Sequence, residues 1–257
     1  MLTTDTLNDL LGMPATKAYG AILMSIENLV DFTVFNYPPP PLLQDRVQQS
    51  DFERQIIQDA LELRGETGMP FWEAIFNCCL KAGHCSDGFL DGAIFHSGLG
   101  VPTRLTRGEL VDGSFERLAG ESAKNLGLAS EIVVASGKRL HFHQLDFHCD
   151  VSDANTKIVE NVCRRLMPRG FVAVDSGDSY HAMSLEPVTP EERIRTLGKA
   201  LLYGPIIDCR YIGHQLRQNC SSIRISQGGS ANKVPVVVGG TAPDQPVPSG
   251  SAAKASQ

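Results

Sequence analysis

The segment FVAVDSGDSYHAMSL, residues 171–185, combines two runs of strand-forming residues with a short polar interval. Apolar and aromatic residues dominate Phe171–Asp175 and residues 180–185, which is typical of short strands. Between them lies Ser176-Gly177-Asp178, a tripeptide suited to a turn because glycine adopts backbone conformations closed to other residues. The segment therefore predicts two neighbouring strands joined by a tight turn.

Strands and helices alternate on both sides of this pair. The predicted strands, in chain order, are residues 131–136, 139–149, 171–175, 180–185, 206–208 and 222–226. The predicted helices are residues 152–167, 189–203 and 210–217. Polar caps at Ser152 or Asp153 and at Thr189, the latter followed by Pro190, mark the starts of the first two helices. The order β-α-β-β-α-β predicts an α+β fold with an RRM-like β-α-β-β sheet and helices on one face.

Residues 1–130 are predicted to form a mostly helical elaboration of this core. Ser50-x-x-Glu53 has capping-box spacing, and apolar residues follow at helical intervals as far as Gly65, a suitable C-terminal stop. Pro70 is expected to open a second helix over residues 71–82. The core then comprises residues 131–238. Residues 239–257, rich in Gly, Pro, Ser and Ala, are expected to be a disordered tail.

The charge of the chain is distributed unevenly. The 257 residues have 42% hydrophobic and 20% charged residues, the composition of an ordinary globular protein, and a net charge of −6. Residues 1–132, with 9 basic and 18 acidic residues, favour contacts with protein partners over contacts with phosphates. Residues 133–226 have 12 basic and 10 acidic residues. Candidates for phosphate contact, or simply solvated surface, are Arg164, Arg165, Arg169, Arg193, Arg195, Arg210, Arg217 and Arg224.

Cysteine content and hydropathy point to a compartment. The chain has seven cysteines, an odd number, and begins without a recognisable secretory signal, so we expect a reducing cytoplasm. Apolar stretches such as residues 21–24 and 234–238 are far shorter than the roughly 18 residues of a membrane span. No membrane association is expected.

Three clusters contain residues suited to chemistry. In Leu145-Asp146-Phe147-His148-Cys149-Asp150, strand alternation places Asp146, His148 and Asp150 on one face, as either a metal half-site or a solvent-facing edge. In Ser176-Gly177-Asp178-Ser179-Tyr180-His181, the turn can grip a phosphate or can be an ordinary hairpin. In Ile206-Ile207-Asp208, the carboxylate follows a short apolar strand and can be a ligand or a helix N-cap.

As an ordered set, these clusters resemble the signature of the archaeo-eukaryotic primase-polymerase superfamily. That signature is an acidic strand, then Ser-x-His, then a hydrophobic run ending in Asp. The resemblance is greatest to the bacterial primase 1D-like branch, and it extends over residues 130–238. The segments that carry it are LDFHC (145–149), SGDSYH (176–181), DCRYIGH (208–214) and IRIS (223–226).

The resemblance implies a nucleotidyltransferase that adds nucleotides to the 3′-hydroxyl of a nucleic acid. Asp146 and Asp208 would hold Mg²⁺ or Mn²⁺, and Ser179 and His181 would contact the triphosphate of a nucleoside triphosphate. Arg224, Ser176 and Gly177 would complete the nucleotide site.

One position departs from the pattern of the family. Active members have a second acid two residues after the first, where this chain has His148. If His148 joins Asp146 and Asp208 as a ligand, the site should prefer Mn²⁺ to Mg²⁺, since imidazole suits Mn²⁺ better. The alternative is a catalytically inactive relative that binds nucleotides or nucleic acid and acts through protein partners.

The resemblance makes a geometric prediction. Asp146, His181 and Asp208 are far apart in the sequence but must line one pocket, because groups that share metal and phosphate contacts lie a few ångströms from one another. A structure in which any of the three is more than about 12 Å from the others would contradict membership of the family.

Overall fold

The protein is described here by a computed structural model that covers residues 2–37, 50–69, 71–85, 88–89, 100–121, 125–228 and 233–243. Tertiary contacts divide the chain into two compact units. One is Met1–Pro38 with Leu99–Gln257, and the other is Pro39–Gly98.

Helices and strands alternate through the described residues. The helices are α1 (Thr4–Leu10), α2 (Ala15–Met24), α3 (Asp51–Thr67), α4 (Phe71–Ala82), α5 (Arg107–Val111), α6 (Ser114–Glu121), α7 (Asp153–Leu166), α8 (Pro190–Ala200) and α9 (Cys209–Gln218). The strands are β1 (Leu29–Tyr37), β2 (Val101–Thr106), β3 (Asn125–Val134), β4 (Arg139–His141), β5 (Gln144–Asp146), β6 (Phe171–Asp175), β7 (Tyr180–Ser184), β8 (Ser222–Arg224) and β9 (Val236–Thr241). This composition confirms the α+β class and the helical character of the N-terminal region.

The larger unit contains two antiparallel sheets. The first has the order β2-β1-β3-β4, and β8 also pairs with β3. The second has the order β5-β7-β6-β9. Within it, β5, α7, β6 and β7 follow one another along the chain as the predicted β-α-β-β unit.

The second sheet is buried on both faces. Val172, Val174 and Met183 belong to a core shared with β1, β3, α1 and α2. Phe171 and Ala173, whose side chains alternate with these, belong to a separate core with α7, α8 and α9. A strand with two buried faces needs a continuous apolar run, which is what residues 171–174 provide. The second sheet therefore separates the core that it shares with the first sheet, α1 and α2 from the core that it shares with α7, α8 and α9.

The segment predicted as one strand over residues 139–149 is two strands in different sheets. β4 pairs with β3 in the first sheet, and β5 pairs with β7 in the second. Between them, the Phe142 amide donates to the Ser130 carbonyl and the His143 amide donates to the Ser184 hydroxyl, so the chain crosses from one sheet to the other. Residues 206–208 form a single bridge, between Phe147 and Ile207, instead of a strand.

The predicted boundary at residue 130 lies inside a strand. β3 continues across it, and β1 and β2 from the N-terminal region extend the same sheet. The tail was also predicted to begin too early, because β9 pairs with β6 as far as Thr241 and Ala242 is buried. Residues 244–257 of that predicted tail lie outside the described residues. The boundaries of the two compact units therefore differ from the predicted boundaries at residues 130 and 238.

The smaller unit contains α3 and α4 around its own core, which includes Ile56, Ala60 and Ile75. The predicted capping box is present: the Ser50 hydroxyl accepts from the Glu53 amide at 3.2 Å, and the Glu53 carboxylate accepts from the Ser50 amide at 2.8 Å. Gly65 does not end the helix, which continues to Thr67. Gly68 caps it with the left-handed φ of +70° that glycine adopts without strain. Pro70 lies outside the described residues.

None of the helices among the described residues is both long enough and apolar enough to cross a membrane.

The pairing of β1 with β2 predicts that the smaller unit can be excised. Asn36 and Val101, which flank the segment, are register partners, so their Cα atoms are about 5 Å apart. We expect a variant in which a short Gly-Ser linker replaces residues 39–98 to unfold cooperatively. Its Tm, measured by circular dichroism, should lie within about 4 °C of that of the larger unit in the full chain, which corresponds to roughly 1 kcal/mol.

The control is a fragment of residues 131–257, which lacks β1, β2 and half of β3. It should not fold, because it loses the partners of β3 in the first sheet. A stable 131–257 fragment, or loss of cooperative unfolding on excision of residues 39–98, would contradict this division of the chain.

Candidate functional site

Asp146 and His181 are brought together by strand pairing. Asp146 ends β5, and its register partner on β7 is His181. The His181 Nε2 atom lies 3.5 Å from Asp146 Oδ1. The carboxylate and the imidazole thus lie side by side at one end of the second sheet.

Asp208 joins them from the helical side. Its amide donates to the Asp146 carbonyl at 2.9 Å, next to the bridge between Phe147 and Ile207. Asp208 is also the N-cap of α9, since Oδ1 accepts from the amides of Arg210 and Tyr211 at 2.8 and 3.1 Å. Asp208 can therefore cap the helix and belong to the site at the same time. Asp146, His181 and Asp208 line one site, as the resemblance requires.

The carboxyl group of Asp146 is in an unfavourable position for a negative charge. Burial, and then the nearby Asp208, raise its pKa from the usual 3.8 to about 8, although Arg210 and Arg224 act in the opposite direction. A carboxylate in this environment gains more from a neighbouring cation than an exposed one does.

His181 is held in the neutral form. Burial, and then the positive charge of Arg224, lower its pKa to about 3. Its Nδ1 atom is buried and has no hydrogen-bond partner among the described residues. At neutral pH the side chain therefore contributes a hydrogen-bonding imidazole to the site and no charge.

The turn between β6 and β7 is stabilised by its own side chains. The Ser176 amide and hydroxyl both donate to the Ser179 carbonyl, at 2.9 and 3.0 Å. The Gly177 amide, at a φ of +108°, donates to Asp175 Oδ1 at 2.6 Å, and the Ser179 hydroxyl donates to the Phe147 carbonyl. The Gly177 amide and the two hydroxyl protons expected to grip a phosphate are thus used within the fold. Ser179 ties the turn to the segment after Asp146.

Arg224 reaches this turn from the first sheet. Its guanidinium donates to the Ser176 carbonyl, and also to the carbonyls of Ser226 at 3.1 Å and Lys233 at 2.6 Å. Burial lowers the pKa of Arg224, whereas Asp178, Asp146 and Asp175 raise it. These couplings place a cation close to the carboxylate of Asp146.

The predicted metal set of Asp146, His148 and Asp208 is not assembled. His148 is exposed, and its Nε2 atom lies 3.0 Å from the Pro205 carbonyl. Asp150 is exposed as well, and no group of three His, Cys, Asp or Glu side chains in the described parts of the chain can hold a metal ion. The predicted preference for Mn²⁺ depended on His148 as a ligand and therefore loses its basis. Of the predicted set, Asp146 and Asp208 remain together, two carboxyl groups whose oxygen atoms are of the kind that divalent cations prefer.

Two further residues belong to the site: Tyr211, which had no role assigned from the sequence, and Arg210, which was predicted only as a phosphate-contacting or surface residue. The Tyr211 hydroxyl donates to the Ser222 carbonyl at 2.9 Å, and burial and Asp146 raise its pKa. Arg210 Nη2 lies 3.8 Å from Asp208 Oδ2. The sequence offered one signal for both residues: they lie in the first turn of a helix that Asp208 caps, so they are close to Asp208.

The raised pKa of Asp146 predicts a pH-dependent stability. Between pH 4 and 8 the folded protein binds more protons at this group than the unfolded chain does, so the metal-free protein should lose stability as pH rises. Asp146→Asn removes this loss. Its advantage over wild type in thermal unfolding with EDTA should grow by up to about 1.4 kcal/mol per pH unit.

Asp150→Asn, at an exposed carboxylate nearby, is the matched control and should differ from wild type by the same small amount at every pH. An advantage of Asp146→Asn that did not change between pH 4 and 8 would contradict the assigned environment of Asp146.

Comparison with known proteins agrees with this geometry. A family model described as archaeo-eukaryotic primase 1D-like matches residues 107–236, half of the chain, and includes Asp146, His181, Asp208 and Arg224. Searches of curated proteins and of solved structures return no match. The match begins at the start of α5, before the predicted boundary at residue 130, as expected if β3 belongs to the core. The chain belongs to the archaeo-eukaryotic primase 1D-like family.

Proposed function

We propose that this chain is a primase-polymerase-type nucleotidyltransferase, which uses nucleoside triphosphates to extend the 3′-hydroxyl of a nucleic acid. The observation that supports it most is the proximity of Asp146 and Asp208: burial, and then the charge of Asp208, raise the pKa of Asp146, and the guanidinium of Arg224 lowers it. Cation and phosphate sites combine such acidic and basic groups, because each satisfies a different part of a metal–triphosphate complex.

Asp146 and Asp208 are the residues that would hold Mg²⁺ or Mn²⁺. When bound, such a cation lowers the pKa of the attacking hydroxyl and neutralises charge on the pyrophosphate that leaves. The link from the Asp208 amide to the Asp146 carbonyl fixes the distance between the two backbones. The two carboxylates are therefore positioned before any ligand arrives.

The remaining residues of the site act on the phosphates. Arg224 contributes positive charge, and its hydrogen bonds to backbone carbonyls fix the direction of its guanidinium. His181, neutral and next to Asp146, can hydrogen-bond a phosphate oxygen without adding a charge that would repel the cation. In the transfer, a bond forms between the 3′-oxygen and the α-phosphorus. The bond to pyrophosphate breaks, and the hydroxyl proton is released to water.

A second function is favoured by His148. It takes the place of the second acid and lies against the Pro205 carbonyl, so among the described residues of the site Asp146 and Asp208 are the two carboxylates left for a cation. Such a site can bind a nucleotide without supporting transfer. In that case the chain would be a nucleotide- or nucleic-acid-binding module that acts through protein partners, with the acidic N-terminal half as the contact surface.

Primer extension with Mg²⁺ and Mn²⁺ in parallel tests the proposal. Asp208→Asn removes the charge but keeps an N-cap of similar quality. Asp146→Asn removes the charge at the end of β5. We expect each variant to lower the rate at least about a hundredfold while the protein stays folded, because an electrostatic group that acts on the reacting phosphates is lost. Asp150→Asn, an exposed neighbour, should retain the wild-type rate.

Metal and nucleotide binding, measured beside primer extension, distinguish the two functions. If the site is catalytic or binds metal–nucleotide, a divalent cation at a hundred times its Kd should stabilise wild type by about 2.7 kcal/mol, and Asp146→Asn should lose this gain. If wild type binds nucleotide in a thermal-shift titration but extends no primer with either metal, the catalytic function is rejected and the binding function is retained. Extension that survives both substitutions would overturn the assignment of the site.

A further inference from the structure

A second cleft lies at the opposite end of the strands that form the site. Its volume is about 330 Å³, and it is lined by the start of β5, the end of β7, the segment before β6 and parts of α7 and α8. On β7, Ser184 borders this cleft and is three residues beyond His181, a separation of about 10 Å along a strand. The cleft therefore does not overlap the pair Asp146 and Asp208.

Cations dominate the rim of this cleft. Arg165, Arg195 and Lys199 are exposed, and no residue in the described parts of the chain forms an ion pair with them. Arg169 pairs with both acids of the rim, at 3.6 Å from Glu186 and 3.7 Å from Glu192. Three cations thus remain uncompensated in a chain whose net charge is −6.

The cleft also contains an unsatisfied buried polar group. His143 lines it, is only 6% exposed, and has a buried Nδ1 atom without a hydrogen-bond partner among the described residues. Its Nε2 atom lies 3.3 Å from the Thr196 hydroxyl, on the helix that presents Arg195 and Lys199. A buried polar atom without a partner costs stability, so its presence at a cleft is expected where a ligand or water bonds it.

We propose that this second cleft binds a phosphate group, either of a nucleic-acid strand or of a free polyphosphate. Arg165 in the last turn of α7, Arg195 in the middle of α8 and Lys199 one turn later offer several charge-assisted hydrogen bonds to phosphate oxygens. His143 and Thr196 supply neutral polar groups beneath them. The site is separate from the proposed transfer site and does not depend on its activity.

Fluorescence anisotropy with a labelled single-stranded oligothymidylate, in EDTA and low salt, tests this site. Tripolyphosphate serves as competitor. The variant Arg195→Glu/Lys199→Glu should weaken oligonucleotide binding at least about tenfold and lower the slope of log K against log salt by about 1.4, for two lost contacts. The matched control is Lys138→Glu/Lys157→Glu, at two exposed lysines outside the cleft with the same change in charge. It should change binding less than about threefold.

A further measurement locates the binding. The His143 imidazole resonances should shift on titration with the bound probe in wild type but not in the Glu variant. The milder Arg195→Gln/Lys199→Gln serves if the Glu variant does not fold.

The outcomes identify the source of the phosphate or overturn the proposal. Binding of the oligonucleotide without displacement by tripolyphosphate identifies a strand as the source of the phosphate. Binding of tripolyphosphate without oligonucleotide, detected at His143, identifies a free polyphosphate, and displacement shows that the cleft accepts both. Absence of binding of both probes, or an equal loss of binding in Arg195→Glu/Lys199→Glu and in Lys138→Glu/Lys157→Glu, would overturn the proposal.

Discussion

The burial of β6 on both faces constrains the position of every other element in the larger unit. Val172 and Val174 pack toward the first sheet, whereas Phe171 and Ala173 pack toward α7, α8 and α9. Polar groups cannot occupy the middle of such a strand without loss of stability, so they are confined to its two ends. At one end the turn after Asp175 meets Asp146 and Asp208, and at the other lies the cationic cleft.

A buried polar network holds β5 between the two sheets. The Gln144 side chain donates to the Leu128 carbonyl and accepts from the Ser221 hydroxyl. The backbone carbonyl of Gln144 accepts from the Gln215 side chain on α9. Arg193, only 1% exposed, donates in turn to the carbonyl and the side chain of Gln215 at 3.3 Å. Arg193, predicted from the sequence to be a surface or phosphate-contacting residue, is therefore an interior link between α8 and α9. Because this network fixes both β5 and α9, it also fixes the strand that ends in Asp146 and the helix that begins at Asp208.

Local sequence signals predicted the elements whose stability is local. The pair β6 and β7, the helix α7 and the caps of α3 and α8 follow from turn residues, apolar periodicity and capping boxes within a few residues. The break between β4 and β5 could not be predicted, because bonds to Ser130 and Ser184, distant in the sequence, create it. For the same reason the N-terminal strands were missed, since β1 pairs with residues about 90 positions later. In the site, the order of acidic and histidine motifs predicted which residues meet, but the direction of His148 depends on Pro205, which no motif includes.

Asp208 shows why the two carboxylates can stay close together without a cation. Its Oδ1 accepts two amides at the start of α9, where the helix dipole favours negative charge, so Asp208 is stabilised as an anion by the fold itself. Asp146 has no comparable set of donors, so the cost of burial, and then of the nearby Asp208, falls on its carboxyl group, whose pKa rises to about 8. The backbone bond from Asp208 to Asp146, together with the network behind β5, prevents the pair from separating to relieve this cost. Asp146 is therefore a group whose ionisation is disfavoured by its surroundings and becomes favourable when a cation is near.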